Sequence, residues 1–175
     1  MEVRIANEQG EAVVRGEEGE LLIRGEIVMK GYWKNPEARQ EVLDAQGWLH
    51  TGDMAWQDGE GFITISGRKQ EMIISGGFNV YPREVERIIE MHAGVQEVAV
   101  VGVPDAVWGE SVAAFVVPRP GVALTPETII ALCKAHIASY KKPQVVKMVD
   151  ELPKNFQGKI LKQVLLEQYQ QRAEC

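Results

Sequence analysis

Two separate positions combine residue types that are typical of nucleotide binding. Thr51-Gly52-Asp53 places a carboxylate beside a glycine at a predicted loop-to-strand junction. A carboxylate in such a place can accept hydrogen bonds from both hydroxyls of a ribose. Arg68 could reach the same ligand. Taken singly, a solvated turn aspartate and an arginine that caps a strand are the more ordinary interpretations.

A third candidate is a basic loop near the end of the chain. Gly158-Lys159 lies between Leu152-Pro153 and a predicted helix that starts near Ile160. A glycine before a lysine at a helix entrance resembles anion-binding loops. It is not a Walker loop, because the glycine spacing and the Ser or Thr after the lysine are both missing.

The stretch Gly67–Pro82 separates these candidates. Its apolar run Met72–Ile74 is typical of a strand, and Gly76-Gly77 permits positive φ angles or a close backbone approach to a ligand. Pro82 suits the first turn of a helix. By itself this stretch predicts only a strand, a turn and a helix.

The secondary structure predicted around these candidates divides the chain into two structural units. Residues 1–69 alternate as antiparallel strands, with strands expected near 48–49 and 53–57 and one short helix that begins at Pro36. From residue 70 to 175, strands interleave with helices in a compact unit. The predicted fold class is therefore α+β, with a boundary at Lys69-Gln70. No flexible linker lies there, so any domain motion must turn on very few bonds.

Composition excludes several classes of protein. A hydrophobic share of 45% and a charged share of 25% are those of a globular domain, and the net charge of −6 argues against a nucleic-acid partner. No apolar run approaches a transmembrane segment, and residues 1–5 lack the apolar region of a signal peptide. Cys133 and Cys175 have no metal-ligand neighbours, which favours reduced thiols, a cytoplasmic location and no metal site.

In this order the motifs resemble the C-terminal part of the adenylate-forming (AMP-binding) superfamily, in its acyl-CoA synthetase branch of fatty-acid and aryl-acid CoA ligases. The resemblance runs from about Glu2 to Leu165. The matching segments are Gly19–Gly25, Gly31-Tyr32-Trp33, Trp48–Asp53, Gly67-Arg68, Ser75-Gly76-Gly77, Asn79–Pro82, Val103-Pro104-Asp105, Trp108-Gly109-Glu110 and Gly158-Lys159.

The resemblance implies a two-step reaction. A carboxylic acid and ATP give an acyl-adenylate and pyrophosphate, and the CoA thiol then displaces AMP. It also implies that Asp53 binds the ribose hydroxyls, that Arg68 holds the same nucleotide, and that Lys159 is the catalytic cation near the carboxylate and the α-phosphate. Mg²⁺ is expected with ATP, but no ligand for it is expected in this chain.

For the second step the resemblance implies a hinge and a CoA site. Gln70 stands at the hinge on which the family's C-terminal domain swings, where the family usually has Asp or Lys. The loss of that charge puts in doubt how the two orientations of the domain are balanced. Gly76 and Gly77 would line the pantetheine channel. In Tyr140-Lys141-Lys142-Pro143, Tyr140 would stack on adenine and Lys142 would meet a phosphate, with Trp108 as a wall. An exposed lysine pair at a helix C-terminus is the alternative.

Residues 1–69 would then be the β-rich tail of the large AMP-binding domain and residues 70–175 the C-terminal lid domain. The family's phosphate loop and its Tyr-Gly-x-Thr-Glu segment are not in the sequence, so we expect a partial enzyme that is inactive alone and needs the N-terminal AMP-binding domain. Its apolar faces would be open and would favour self-association. The candidate residues of those faces are Val3, Ile5, Leu22, Ile63 and Ile65.

Two other functions stay open. One is an adenylation domain that loads a phosphopantetheinyl carrier protein, and the other is a non-catalytic binding module that has kept the lid fold. The motifs Asn79–Pro82 and Trp108-Gly109-Glu110 look more like the CoA-ligase branch. The sequence does not indicate which carboxylic acid is activated.

Overall fold

The computed structural model describes residues 1–173, and side chains through residue 170. The chain forms two compact units, Met1–Gln70 and a second unit that begins at Glu71. Both contain antiparallel sheet with few helices, which confirms the predicted α+β class. Within the described residues no helix has the length and apolar character needed to cross a bilayer. The assignment of residues 1–69 and 70–175 to two enzyme domains stays a prediction.

The first unit is a four-stranded antiparallel sheet in the order β1-β2-β3-β4, with one helix. Asn35 caps the helix, because its side chain accepts the Ala38 N–H at 3.0 Å and Pro36 starts the first turn. The elements are β1 Glu2–Ala6, β2 Glu18–Arg24, α1 Pro36–Val42, β3 Leu49–Gln57 and β4 Ile63–Arg68.

Strand β3 corrects the prediction of separate strands near 48–49 and 53–57. The structure has one strand across both segments, with Gly52 at φ 70° inside it and irregular pairing to both neighbours. A glycine in a strand interior often marks such an irregularity. The sequence break at Thr51-Gly52 is therefore a bulge within a strand and not the end of one.

The prediction of five open apolar side chains is wrong for two of them. Ile5 and Leu22 are buried, at 8% and 2% exposure. Leu22 packs with Ala6 and Trp48 in a small cluster within the unit itself. The other three candidates are exposed, namely Val3, Ile63 and Ile65. Self-association through these stays a prediction.

The second unit is built around the long hairpin of β7 and β8. Strand β8 also pairs with β5 at its start and, in parallel, with β9, which gives a five-stranded sheet. The elements are β5 Ile73–Ser75, β6 Phe78–Val80, α2 Pro82–Glu90, β7 Val95–Asp105, β8 Gly109–Pro118, α3 Pro126–His136, β9 Val145–Met148 and α4 Lys162–Ala173. A 3₁₀ turn, Lys69–Glu71, precedes β5.

Alternate residues of β7 and β8 are buried on opposite faces of this sheet, as the period of two in a strand requires. Val100 and Val112 lie in the core with α2 and α3 residues such as Val85 and Ile129. Val101 and Phe115 lie in a second core with Leu165 of α4. Because both faces are covered, these strands read as unbroken apolar runs.

Of the two cysteines, only Cys133 lies among the described residues. Cys133 is a free thiol buried on α3, and burial raises its pKa to about 11. A thiol held in its protonated form is a poor nucleophile, which agrees with a packing role. Cys175 lies outside the described residues. The expected reduced state and cytoplasmic location therefore stay predictions.

Candidate functional site

Asp53 and Arg68, the two predicted nucleotide ligands, lie together in the first unit. They are register partners on β3 and β4, and the Asp53 Oδ1 and Arg68 Nε atoms are 3.0 Å apart. Arg68 also donates through Nη1 to the Thr51 carbonyl at 2.9 Å. The carboxylate and the guanidinium thus form a pair that is in place before any ligand binds. Such a pair suits a ligand that carries both hydroxyls and a phosphate.

Glu20 on β2 holds the Gly52 bulge of β3, directly before Asp53. Sequence reasoning missed this role. Its carboxylate accepts the Gly52 N–H at 3.2 Å and the Lys69 ammonium at 3.0 Å, and lies 3.3 Å from His50 Nδ1. Burial acts to raise the pKa of Glu20, but the bonds from Lys69 and His50 outweigh it and the pKa lies below its usual value. The only sequence signal was its place in the Gly19–Gly25 motif.

Gln70, the predicted hinge, is the middle residue of the 3₁₀ turn between the two units. Its side chain is exposed, while Lys69 before it bonds to Glu20 and Glu71 after it bonds to Lys162. Each neighbour is therefore fixed to its own unit, and Gln70 lies between the two attachments. This placement suits a hinge, although the hinge role itself stays a prediction.

The predicted glycine pair forms a tight hairpin turn between β5 and β6. Gly76 has φ 58° and Gly77 has φ 82°, and two successive positive φ angles are the geometry that favours glycine in two-residue hairpins. The sequence predicted the turn but missed β6, because Phe78–Val80 is short and runs directly into Pro82.

Trp108 packs directly on this turn. The Gly76 N–H donates to the Trp108 carbonyl at 2.9 Å. A Cβ atom on Gly76 would lie 2.5 Å from Trp108 Cε3, whereas a Cβ on Gly77 would meet nothing within 4 Å. Gly76 is therefore required both by its φ angle and by the indole ring. The two predicted CoA-wall elements, the glycine turn and Trp108, are in contact.

Two carboxylates hold the Trp108 turn in place, and the sequence analysis named them only as parts of matching motifs, without a role. Asp105 accepts the backbone N–H groups of Val107 and Trp108 at 2.8 and 3.0 Å and the hydroxyl of Ser111. The Ser111 hydrogen bond, followed by these two backbone bonds, holds the pKa of Asp105 below its usual value. Glu110 accepts the Ile74 N–H of β5 at 2.8 Å.

Tyr140 stacks on Phe78, the residue directly after the glycine pair. The ring centroids are 4.5 Å apart at an interplanar angle of 25°. Ser75 pairs with Phe78 on one side and Gly109 on the other, so Tyr140 and Trp108 flank the same short strand. The structure thus brings four predicted CoA residues together at the end of β5. We call Gly76, Gly77, Trp108 and Tyr140 the glycine-aromatic cluster.

The two lysines after Tyr140 are not equivalent. Lys141 donates to both Glu84 oxygens at 2.8 and 2.7 Å. Lys142 is half-buried and has no ion pair among the described side chains. Helix α3 ends at His136, so the alternative of an exposed lysine pair on a helix C-terminus does not describe this segment. Of the two, Lys142 is thus the cation that no described carboxylate binds.

Lys159, the predicted catalytic cation, lies in a compact turn closed by Asn155. The Asn155 side chain accepts the N–H groups of Gln157 and Lys159 at 3.0 and 2.9 Å, and Gly158 takes φ 81°. The Lys159 side chain is exposed, and its ammonium has no bonding partner within the part of the chain that the structure describes. Lys154 and Lys162 on either side are both ion-paired. We call residues 155–159 the Lys159 turn.

Comparison with known proteins finds a family match within the second unit. Residues 84–159 match the family of the AMP-binding enzyme C-terminal domain. This segment of the second unit is therefore similar to that domain. The match begins at Glu84, in the helix that follows the glycine turn, and ends on Lys159. It therefore takes in the Trp108 turn, Tyr140, Lys142 and the Lys159 turn, that is, most of the predicted site of the second unit.

Similar proteins extend the likeness to nearly the whole chain. A CoA ligase for a substituted propanoyl group from Rhodococcus jostii is 48% identical over 168 residues, 96% of this chain and 31% of the relative. A long-chain-fatty-acid–CoA ligase of Yersinia pestis is 46% identical over 164 residues, 94% of this chain and 29% of the relative.

Among solved structures, the o-succinylbenzoate CoA synthetase of Bacillus subtilis in complex with its acyl-adenylate intermediate is similar with a TM-score of 0.88 at 35% identity. That likeness covers 94% of this chain and 33% of the synthetase. The chain thus spans about a third of the length of the proteins that it matches.

Proposed function

We propose that this chain works as the C-terminal third of an AMP-forming acid–CoA ligase. In this proposal residues 1–69 are the β-rich tail of the large AMP-binding domain, and residues 70–175 are the lid domain. The substrates are a carboxylic acid, ATP and CoA, and the products are an acyl-CoA, AMP and pyrophosphate. Relatives with CoA-ligase names over nearly the whole chain support this reading.

The observation that carries the proposal is the state of Lys159. Of three lysines within nine residues, Lys154 is bonded to Glu97 and Lys162 to Glu71 and Glu86, while the Lys159 ammonium has no bond within the described residues. An exposed cation on a well-formed turn is available to an anionic reactant. Placed between a carboxylate and an α-phosphate, it would offset the charge that builds as they react, an electrostatic effect that is often the largest catalytic contribution.

In the adenylation step Asp53 would accept the ribose hydroxyls and Arg68 would hold the same nucleotide. Their contact at 3.0 Å supports this, because it holds both side chains in a fixed orientation before the ligand binds. Mg²⁺ would arrive with ATP. No cluster of three or more potential metal ligands occurs in the described residues, and we assign none to this chain.

In the thioester step the glycine-aromatic cluster would line the path of the pantetheine arm. Gly76 and Gly77 present bare backbone, which leaves room for a narrow chain. Phe78 covers one face of Tyr140, so adenine would stack on the other face. Lys142 would meet a CoA phosphate as a point charge. Between the steps, rotation at Gln70 would exchange Lys159 for this cluster.

The direct test uses the complete enzyme that carries this chain as its C-terminal third. We expect CoA- and ATP-dependent acyl-CoA formation with release of AMP for at least one member of a panel of fatty and aromatic acids. Lys159→Ala should lower the rate of pyrophosphate exchange by about 10²- to 10³-fold. Lys134→Ala, on the exposed side of α3, should not change it. Transfer to a phosphopantetheinyl carrier protein but not to CoA would favour the carrier-loading alternative. A wild-type enzyme that forms no adenylate would favour the non-catalytic one.

A second test uses the 175-residue chain by itself. Positioning of reactants contributes about 7–11 kcal/mol to catalysis, and a lysine without a triphosphate fixed opposite it supplies almost none of this. We therefore expect no pyrophosphate exchange with ATP, Mg²⁺ and the same acids. Exchange that disappears in Lys159→Ala would show that the chain is self-sufficient and would contradict its role as part of an enzyme.

A further inference from the structure

Lys162, three residues beyond Lys159, is the centre of an ion cluster that joins three elements of the second unit. It is the first residue of α4, and its ammonium lies 2.7 Å from Glu71 Oε2 and 2.9 Å from Glu86 Oε1. Glu71 closes the 3₁₀ turn and directly follows Gln70, and Glu86 lies on α2. One cation thus links the residue after the hinge to the helix that follows the Lys159 turn.

The cluster is firmly anchored because Glu86 is bonded to the sheet as well. The Glu86 side chain is 8% exposed, and its Oε1 accepts the Val100 N–H of β7 at 3.0 Å. Arg83, one turn earlier on α2, lies 3.6 Å from its other oxygen. A carboxylate buried this deeply depends on its cations, since an unpaired buried charge is strongly unfavourable. Lys162 therefore has a fixed partner on the core side and Glu71 as its partner on the hinge side.

The Lys159 turn has few other attachments. At its base Lys154 and Ile160 form an isolated bridge, and the Leu161 N–H donates to the Pro153 carbonyl at 2.8 Å. Lys154 is also paired with Glu97. The remaining bonds of the turn are internal to it. Lys162 is thus the attachment that relates the turn to the start of the unit.

We propose that Lys162 is a positioning residue for adenylation. Its bonds to Glu71 and Glu86 fix the Lys159 turn to the residue that follows Gln70, so that Lys159 moves as one body with the hinge end of its unit. This inference rests on the proposed function of Lys159. The glycine-aromatic cluster is held by Asp105, Glu110 and the sheet, and the thioester step does not depend on Lys162.

The test separates the two half-reactions in the complete enzyme. In Lys162→Met, which keeps much of the side-chain length but removes the charge, we expect pyrophosphate exchange to fall by about 10- to 100-fold, since small misplacements of a reacting group cost this much. Conversion of a synthetic acyl-adenylate with CoA should stay within about twofold of wild type, because the cluster keeps its own supports. Glu71→Gln should reproduce the selective loss of pyrophosphate exchange, and Lys162→Arg should retain most of that activity. Lys134→Met on α3 is the matched control.

The 175-residue chain supplies a readout that does not depend on activity. In Lys162→Met we expect faster hydrogen exchange of the Lys159 amide, with unchanged exchange of the Gly76 amide, whose partner is the Trp108 carbonyl. Equal loss of both half-reactions, or faster exchange throughout the unit, would show a purely structural role and overturn the proposal. Unchanged exchange of the Lys159 amide and unchanged adenylation would overturn it as well. An inactive wild-type enzyme would instead contradict the proposed function, while the hydrogen-exchange result would still decide whether Lys162 holds the turn.

Discussion

The second unit carries two glycine-containing turns that are held in opposite ways. The Gly76-Gly77 turn is bonded to the Trp108 carbonyl in the turn between β7 and β8, and the Trp108 ring fills the space that a side chain on Gly76 would occupy. Around Gly158 nothing lies within 4 Å of where a Cβ would be, and the side-chain caps of the Lys159 turn all come from Asn155.

This difference matches the two tasks that we propose. A wall of a narrow channel must keep its shape, so the glycine turn is supported by Glu110 and by Asp105 through Trp108. A cation that meets a reacting anion must keep its charge unpaired until the anion arrives, so the Lys159 turn presents its ammonium to solvent and is fixed only at its base. The predictions that follow test whether the two turns really serve different half-reactions.

The largest effect should come from Lys159→Ala. Removing one charge-stabilising group from an active site typically costs about 10²- to 10³-fold in rate, so adenylation in the complete enzyme should fall by that amount. The thioester step, started from acyl-adenylate and CoA, should be nearly unchanged because Lys159 takes no part in it. Single-turnover measurements of each step check this, and an equal fall in both would erase the distinction between the turns.

Gln70→Pro tests whether both turns share one hinge. Proline fixes φ near about −65°, and the two half-reactions need different backbone angles at this residue if it is the hinge. We expect one half-reaction to be lost and the other to be retained. Circular dichroism of the variant serves as the folding control. Full activity in both steps would mean that the motion turns on another residue.

Local features of the sequence predicted local structure well. Helices α1 and α2 were predicted to begin at Pro36 and Pro82, and both do so in the structure. Both predictions needed only a proline, which suits the first turn of a helix. In contrast, the continuity of β3 depends on its pairing with β2, a distant segment that a pattern within one stretch does not reveal. Strand β6 was missed because it is short and runs directly into Pro82.

The candidate site shows the same difference between local features and features that depend on distant partners. The family resemblance supplied the candidate residues, and the structure brings Asp53 to Arg68 and Tyr140 to the glycine turn through Phe78. Residues that hold these candidates were missed, because their partners are distant in sequence. Glu110 binds a backbone group 36 residues away, and Lys162 binds a carboxylate 91 residues away. Only a folded chain shows such pairs.

A pair of glycine variants tests how the Gly76-Gly77 turn is supported. Gly76→Ala must strain a backbone at φ 58° and displace the Trp108 ring, whereas Gly77→Ala at φ 82° meets no atom within 4 Å and pays the strain alone. The strain costs on the order of 1–3 kcal/mol in each. We expect the thioester step to fall by on the order of 100-fold in Gly76→Ala, with adenylation little changed and a smaller loss in Gly77→Ala. Equal losses would mean that the contact with Trp108 is unimportant.

A moderate effect is expected for Tyr140→Ala combined with Lys142→Ala. Loss of a stacking ring costs about 1–3 kcal/mol, which corresponds to roughly 5- to 150-fold in CoA affinity. The KM for ATP and for the acid should stay the same, because these ligands do not use the cluster. Unchanged CoA affinity would remove Tyr140 and Lys142 from the site and leave the glycine turn and Trp108 as its only supported part.

The smallest effect compares the caps of the two turns. Asp105 and Asn155 play the same part, each accepting two backbone N–H groups of its turn, but only Asp105 titrates. The Ser111 hydroxyl and the two N–H groups lower the pKa of Asp105 below the ordinary value of 3.8. A lowered pKa means that the cap is fully formed above that ordinary value and is lost as the pH falls through the folded value.

Carboxyl NMR titration of the 175-residue chain should therefore find the pKa of Asp105 below 3.8, and Ser111→Ala should raise that pKa. Over the same range the Trp108 amide resonance should shift with Asp105, while the Lys159 amide, capped by an uncharged side chain, should not follow it. A Lys159 amide that titrates with the Asp105 midpoint would show that the two turns are coupled and not independent.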